Sequence, residues 1–232
     1  SSPASVLAEM ITATLGAQCM SWETSPAAAE LEQCTMEWLR QMIGLPSDFE
    51  GVIQDSASTA TLCAILSARE QASKWRANEN GLRRENNMVV YGSSECHSSV
   101  EKAVKIAGLG RQNFHKVSVD DSFGMDPHAL ANDIMADKAS GKTPICVVAA
   151  LGSTGSSAID PLLSIADICR RNNLWLHVDA AWAGAALIDP KYRWMIAGIE
   201  QVDSFVFNPH KWLFTNFDCS AYFVRAPEVL LK

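Results

Sequence analysis

The chain has 232 residues, of which 48% are hydrophobic and 19% are charged, and its formal net charge is −7. This composition is typical of a globular protein and excludes a disordered chain. An acidic surface repels phosphate backbones, and no apolar run is long enough to span a bilayer, so we expect neither a nucleic-acid nor a membrane partner.

Helical patterns and apolar runs alternate along the chain. In chain order they predict helices over 3–16 and 26–43, a strand over 51–54, a helix over 57–75, a strand over 87–92, a helix over 98–109, a strand over 115–119, a helix over 126–140, a strand over 144–151, a helix over 160–172, and strands over 174–180, 204–208 and 219–224. This alternation predicts βαβ units, and therefore an α/β fold with a mostly parallel sheet covered by helices. The polar stretch 76–87 is predicted to be an exposed loop.

Seven cysteines are scattered along the chain, and none is paired at the spacing of a metal site. Most lie among apolar residues, as in "TLCAIL" and "TPICVVAA". We therefore predict buried, reduced thiols, no metal ion and a cytoplasmic location, in preference to disulfides or zinc.

Ligands of open α/β sheets bind at the carboxyl ends of the strands, so polar residues at those positions are candidates for a site. Asp179 ends the apolar strand of "HVDAAWAG", where a carboxylate is costly unless a cation meets it. A helix cap or a salt bridge is the alternative interpretation. The small residues that follow, 180–184 apart from Trp182, leave room for a flat ligand against the backbone.

Three further strand ends carry polar groups. Ser56, Ala57 and Ser58 join a strand to a helix, where free N–H groups and hydroxyls suit a phosphate, although an ordinary Ser N-cap is the commoner arrangement. His97 stands at another strand–helix junction, either as a cap or core residue or as a ring at a ligand edge. In "FNPHKW", Lys211 is either a solvated charge or a lysine with covalent chemistry.

A phosphate cradle, a flat ring, a buried carboxylate and a lysine at one edge match the needs of pyridoxal phosphate. The chain also resembles the group II pyridoxal-phosphate-dependent amino acid decarboxylases, specifically the aromatic-L-amino-acid decarboxylase family. The resemblance is carried by "SWETSPAAAELE" (21–32), "GVIQDSASTATL" (51–62), "HSSVEKA" (97–103), "LGSTGSSAIDPL" (151–162), "LWLHVDAAWAG" (174–184), "DSFVFNPHKWL" (203–213) and "NFDCSAYFV" (216–224).

The resemblance implies the large, cofactor-binding domain of a fold-type I enzyme. Residues 1–232 would be an internal segment of a longer chain, whose N-terminal segment and small C-terminal domain lie outside it. The implied enzyme is a homodimer with its site at the subunit interface. It would decarboxylate an L-amino acid of the tryptophan, tyrosine or DOPA type to the amine and CO2.

The resemblance also assigns roles to residues. Lys211 would bind the cofactor's aldehyde as a Schiff base, Asp179 would pair with the pyridinium nitrogen, and His97 would stack on the ring. The remaining implied contacts are Ala57, Ser58 and Asn208 to the phosphate, Thr154 and Ala181 along the ring, His210 beside the Schiff base, and Gln18 and Met20 facing substrate across the dimer.

Several departures and alternatives stay open. Gln18 and Met20 are more polar or less aromatic than their counterparts in well-known animal members, Trp182 replaces a common Tyr, and Asp55 replaces a Gly beside the cradle. The alternative functions are an aromatic aldehyde synthase, a decarboxylase of a non-aromatic amino acid, and a non-catalytic folded module.

Overall fold

One mixed sheet organises the computed structural model, which describes residues 1–82 and 87–231. Within these ranges the sheet has seven strands in the order β1-β7-β6-β5-β4-β2-β3. The strands are β1 (Glu50–Gln54), β2 (Met88–Ser93), β3 (Phe114–Val117), β4 (Thr143–Ala150), β5 (Trp175–Asp179), β6 (Ser204–Phe207) and β7 (Ser220–Val224).

Five neighbouring strands, β3, β2, β4, β5 and β6, run parallel. Strand β7 is antiparallel to both β6 and β1, so β1 points in the same direction as the parallel set. All strands except β7 therefore end at the same edge of the sheet. The predicted fold, a mostly parallel sheet with helices, is confirmed.

The helices match the predicted order and most of the predicted limits. They are α1 (Pro3–Leu15), α2 (Pro26–Ile43), α3 (Ala57–Ser73), α4 (Arg76–Asn80), α5 (Ser99–Ile106), α6 (Pro127–Ala139), α7 (Leu162–Asn172) and α8 (Pro209–Trp212). Gly16 and Gly44 end α1 and α2 in the left-handed conformation that glycine adopts without strain. In the described ranges no helix combines the length and the apolar character needed to cross a membrane.

The sheet is buried on both faces, which explains the unbroken apolar run of β4. Val147 and Ala149 pack with α2, α6 and α7 on one face, whereas Cys146 and Val148 pack with α3 and α5 on the other. Strand β5 alternates in the same way, so His177 points towards the α3 side. This layering places the first turn of α3 beside the carboxyl edge.

Two expectations were wrong in part. The predicted loop 76–87 contains the short helix α4 at its start, and residues 83–86 lie outside the described ranges. The cysteines are free thiols, but only Cys146 and Cys169 are buried, while Cys19 and Cys34 are exposed. Those two lie before β1, in the segment around α1 and α2, whose helices contribute few side chains to the core.

Candidate active site

A cavity of about 210 Å³ opens at the carboxyl edge of the sheet. The ends of β1, β4, β5 and β6 and the segment after β2 supply its walls. Its lining residues are Ser56, Ala57, Ser58, His97, Ser99, Ala150, Gly152, Ser153, Thr154, Asp179, Ala181, Trp182, Asn208, His210, Lys211 and Phe217. The strand ends singled out in the sequence thus meet at one place.

The N-terminus of α3 forms one end of the cavity. Ser56 is the N-cap, and its Oγ accepts a hydrogen bond from the Thr59 N–H at 3.3 Å. The N–H groups of Ala57 and Ser58, in the first turn, have no acceptor within the helix. Ser56 therefore has the ordinary capping role, while the helix end offers N–H donors and a partial positive charge to an anion. Asp55 is exposed and does not line the cavity.

Asp179 lies at the end of β5 and lines the same cavity. Burial raises the pKa of Asp179, whereas the N–H of Ala181, 3.0 Å from Oδ1, and the charge of Lys211 act in the opposite direction. A carboxylate in this position gains most from a cationic N–H partner, because such a partner offsets the desolvation that burial imposes.

The His97 ring is held at the cavity by the start of α5. Its Nδ1 lies 3.2 Å from the backbone N of Ser99, which donates to it, and 2.8 Å from the Ser99 Oγ. Because Nδ1 accepts a hydrogen bond from the backbone N–H of Ser99, the neutral ring carries its own hydrogen on Nε2. The ring is exposed towards the cavity, so a flat ligand can lie against it.

Asn208 and His210 are oriented by the reversed strand β7. The Ser220 hydroxyl donates to Asn208 Oδ1 at 2.7 Å, which leaves the Asn208 amide NH2 as a donor. The Cys219 N–H donates to His210 Nδ1 at 2.8 Å, which leaves Nε2–H free to donate. Burial, and then the charge of Lys211, lower the pKa of His210. Both side chains therefore present neutral N–H donors.

Lys211 lies on the short helix α8, which follows β6 directly. Its backbone N–H donates to the Asn208 carbonyl at 2.9 Å, so the chain turns sharply at "NPHKW". The side chain is exposed at the mouth of the cavity, where its amine is accessible to a ligand.

An aromatic wall flanks the lysine. The Trp182 and Trp212 rings lie 4.6 Å apart between centroids, and Trp182 packs so close to Gly152 that a side chain there would meet its ring. Phe217 contributes a second exposed ring and lies 4.7 Å from the His210 ring. This side of the cavity is apolar.

The structure brings together ten of the twelve predicted site residues. The ten that line the cavity are Ser56, Ala57, Ser58, His97, Thr154, Asp179, Ala181, Asn208, His210 and Lys211. Gln18 and Met20 do not line it, and Met20 is 79% exposed, so their contact with substrate across a dimer stays a prediction.

Ser99, Ala150, Gly152, Ser153 and Phe217 also line the cavity, although the sequence analysis assigned a role to none of them. Gly152 and Ser153 lie just after β4, at one of the strand ends where the strand-end rule expects a ligand. Among the described residues, no group of three or more His, Cys, Asp or Glu side chains is arranged to hold a metal ion.

Comparison with known proteins gives the family. The model of the pyridoxal-dependent decarboxylase conserved domain matches residues 1–232. The chain belongs to this family. This match confirms the resemblance seen in the motifs. It also confirms the prediction that pyridoxal phosphate is the cofactor.

Individual relatives of this decarboxylase domain are similar along its whole length. It is 41% identical to tryptophan decarboxylase 2 of Oryza sativa subsp. japonica, over 100% of the chain and 48% of that protein. It is 40% identical to phenylacetaldehyde synthase of Arabidopsis thaliana, over 99% of the chain and 48% of that protein.

Among solved structures, it matches the crystal structure of Oryza sativa TDC with PLP and tryptamine. The TM-score is 0.94 at 35% identity, over 99% of the chain and 49% of that one. The decarboxylase domain thus spans about half the length of the relatives it matches.

Proposed function

We propose that the complete protein is a pyridoxal-phosphate-dependent carboxy-lyase that converts an aromatic L-amino acid to its amine and CO2. The observation that carries this proposal is the meeting of Lys211, Asp179, His97 and the first turn of α3 around one cavity. The residues fit the cofactor because each of its functional groups has a chemically matching partner there.

The phosphate end of the cofactor would be held at α3. The N–H groups of Ala57 and Ser58, the Ser58 hydroxyl and the Asn208 amide form a donor set without a carboxylate. His210 Nε2–H would be a further donor beside the Schiff base. Such neutral donors at a helix N-terminus suit an anion. Lys211 would hold the aldehyde through its amine, with Thr154 and Ala181 along the ring.

The ring end would be held by Asp179 and His97. When bound, pyridoxal phosphate supplies an electron sink, which takes up the electron pair left at the substrate α-carbon when CO2 departs. Asp179 would hold a proton on the ring nitrogen, since an ion pair with a cationic N–H relieves the cost of its buried carboxylate. His97 would pack its flat face on the ring and exclude water from it.

The aromatic substrate class is supported by the wall of Trp182 and Phe217 beside Lys211 and by the similarity to tryptophan decarboxylase 2. The test is CO2 release by the complete protein from tryptophan, tyrosine and DOPA, with glutamate and lysine as controls. Release from the controls alone would contradict the aromatic class and favour a decarboxylase of non-aromatic amino acids.

An aromatic aldehyde synthase is the second candidate, because phenylacetaldehyde synthase is nearly as similar as the decarboxylase. Such an enzyme would consume O2 and release the aldehyde, ammonia and hydrogen peroxide beside CO2, whereas a decarboxylase would release the amine and CO2. Quantifying these products from one substrate therefore separates the two activities.

Attachment of the cofactor is tested by adding pyridoxal phosphate, reducing with borohydride and mapping the labelled peptide by mass spectrometry. We expect one phosphopyridoxyl group, on Lys211, and none in the Lys211→Ala protein. Lys191, which pairs with Asp189 on the surface, provides a matched control, because Lys191→Ala should leave the label in place. If the complete protein bound no cofactor, it would be a non-catalytic module.

A homodimer is supported by α1, which has no buried residue although it is rich in apolar side chains. Leu7, Met10, Ile11 and Leu15 are each more than 60% exposed, an apolar surface that association would cover. The test is sedimentation of the wild type and of a Leu7→Glu, Ile11→Glu variant, which should shift towards monomer.

A cytoplasmic location is supported by seven free thiols, and cell fractionation tests it.

A further inference from the structure

A buried hydrogen-bonded network lies directly behind the cavity, and none of its residues lines it. His177 is 0% exposed. Its Nε2 lies 3.2 Å from Thr61 Oγ1, and its Nδ1 lies 2.9 Å from Ser204 Oγ. The same hydroxyl accepts a hydrogen bond from Trp175 Nε1–H at 2.9 Å. Both imidazole nitrogens thus have a partner.

The network joins the elements that carry the two ends of the cofactor site. Thr61 lies one helical turn after Ala57 and Ser58 in the same helix. Its position and that of the α3 N-terminus are therefore coupled. His177 precedes Asp179 by two residues on the same strand, and side chains two apart share one face of a sheet. Ser204 is paired with His177 in the register of β5 and β6, and β6 leads to the helix of Lys211.

Burying a histidine here costs free energy, because its two polar ring nitrogens lose their contact with water. The surrounding core on this face is apolar, with Ala60, Val148, Val206 and Tyr222 among its members. An aliphatic side chain could fill the same space without burying polar atoms. Fully satisfied polar networks instead specify one arrangement of the elements they connect, because any shift leaves a buried group unpaired.

We propose that His177 and Thr61 are positioning residues that set the distance between the first turn of α3 and Asp179. This inference rests on the proposed function. In pyridoxal phosphate the phosphate is joined to a rigid ring by a short –CH2–O– arm. Its phosphate and its ring nitrogen can therefore be held together only over a narrow range of separations between these two elements. Neither residue touches the cofactor, and both act through α3 and β5.

The test compares pyridoxal phosphate with pyridoxal, which lacks the phosphate, as ligands of the complete protein freed of cofactor. Thr61→Val removes the hydroxyl at nearly constant shape, and Thr61→Ser restores it. Tyr91→Phe is the matched control, because it removes another buried hydrogen bond, 2.7 Å to Asp137, between β2 and α6. The measurements are the two dissociation constants, from cofactor absorbance, and the melting temperature.

In Thr61→Val we expect the preference for the phosphorylated ligand to fall about tenfold, in line with the loss of one buried hydrogen bond. Pyridoxal should bind as before, because it needs only the ring and aldehyde contacts. Thr61→Ser should recover the preference, and Tyr91→Phe should keep it while melting lower. Should Thr61→Val fail to fold, Ser204→Ala breaks the network from the other side with the same expectation.

An unchanged preference in a folded Thr61→Val or Ser204→Ala protein, with only the melting temperature lowered, would show a purely structural network and overturn the inference. A wild-type protein that binds neither ligand would refute the proposed function itself, and the positioning role with it. The two failures are therefore distinguishable in one data set.

Discussion

Acidification from pH 7 to pH 5 should remove the stability that the neutral, buried His177 contributes to the fold. Burial lowers the pKa of His177 to about 3, whereas a histidine in the unfolded chain titrates near ~6.5. Between these values the unfolded chain binds one proton more than the folded protein, so stability falls as the pH falls. Integration from pH 7 to pH 5 gives a loss of about 2 kcal/mol from this residue.

One buried carboxyl group, Asp160, and one partly buried carboxyl group, Asp203, act in the opposite direction. Burial raises the pKa of Asp160 and of Asp203 to about 6, so the folded protein binds the extra proton between about pH 4 and 6. Over the same pH change each of them adds about 1 kcal/mol to the free energy of unfolding. The overall pH dependence of the wild type therefore does not isolate His177, and a variant is needed.

The assay is urea unfolding of the wild type and of His177→Asn at pH 7 and pH 5, at one protein concentration. Asp160 and Asp203 are present in both proteins, so their contributions cancel in the comparison. The loss of stability on acidification should be smaller in His177→Asn by about 2 kcal/mol, whatever the substitution costs at pH 7. Equal losses in the two proteins, within about 0.5 kcal/mol, would refute the reasoning.

Three further predictions test the site and the core. Asp179→Ala should retain the cofactor by absorbance but lower kcat about a hundred- to a thousandfold, as expected for loss of a preorganised electrostatic partner. Wild-type turnover would rule out its role at the ring nitrogen. Ser220→Ala frees Asn208 Oδ1 and should weaken pyridoxal phosphate binding about fivefold by titration, and unchanged affinity would remove Asn208 from the phosphate site. Phe205→Ala, at a fully buried site, should lower the free energy of unfolding by about 3–5 kcal/mol in urea, whereas Phe123→Ala, at a 53% exposed site, should lower it by less than about 1 kcal/mol. Equal losses would contradict the assigned core.

Local sequence patterns predicted most of the fold because the signals are strong where both faces of the sheet are covered. The run "PICVVAAL" predicted β4, since a strand buried on both sides needs no polar alternation. Proline near the start and glycine after the end predicted the limits of α1 and α2. The polar composition of 76–87 predicted a loop and so missed α4 (Arg76–Asn80), because this short polar helix has no apolar periodicity.

The candidate site was predictable in its membership and less so in its arrangement. The strand-end rule and the motifs found Asp179, Lys211 and the turn before α3, because ligand groups in this architecture follow strands directly. They missed Phe217, which precedes a strand that runs in the opposite direction. The motif placed Lys211 at a strand end, and only the fold shows that α8 carries it at the mouth of the cavity.

The sequence by itself determined the family, the order of the elements and the residue types available for chemistry, since these depend on short-range patterns and on motifs a few residues long. Only the tertiary structure decided which of those residues line the same cavity, and which buried residues connect the helix and strands that carry them. Thr61 and His177 are separated by 116 positions and neither belongs to a local pattern that links them. Their contact exists because β5 and α3 pack face to face, and that packing is a property of the whole sheet.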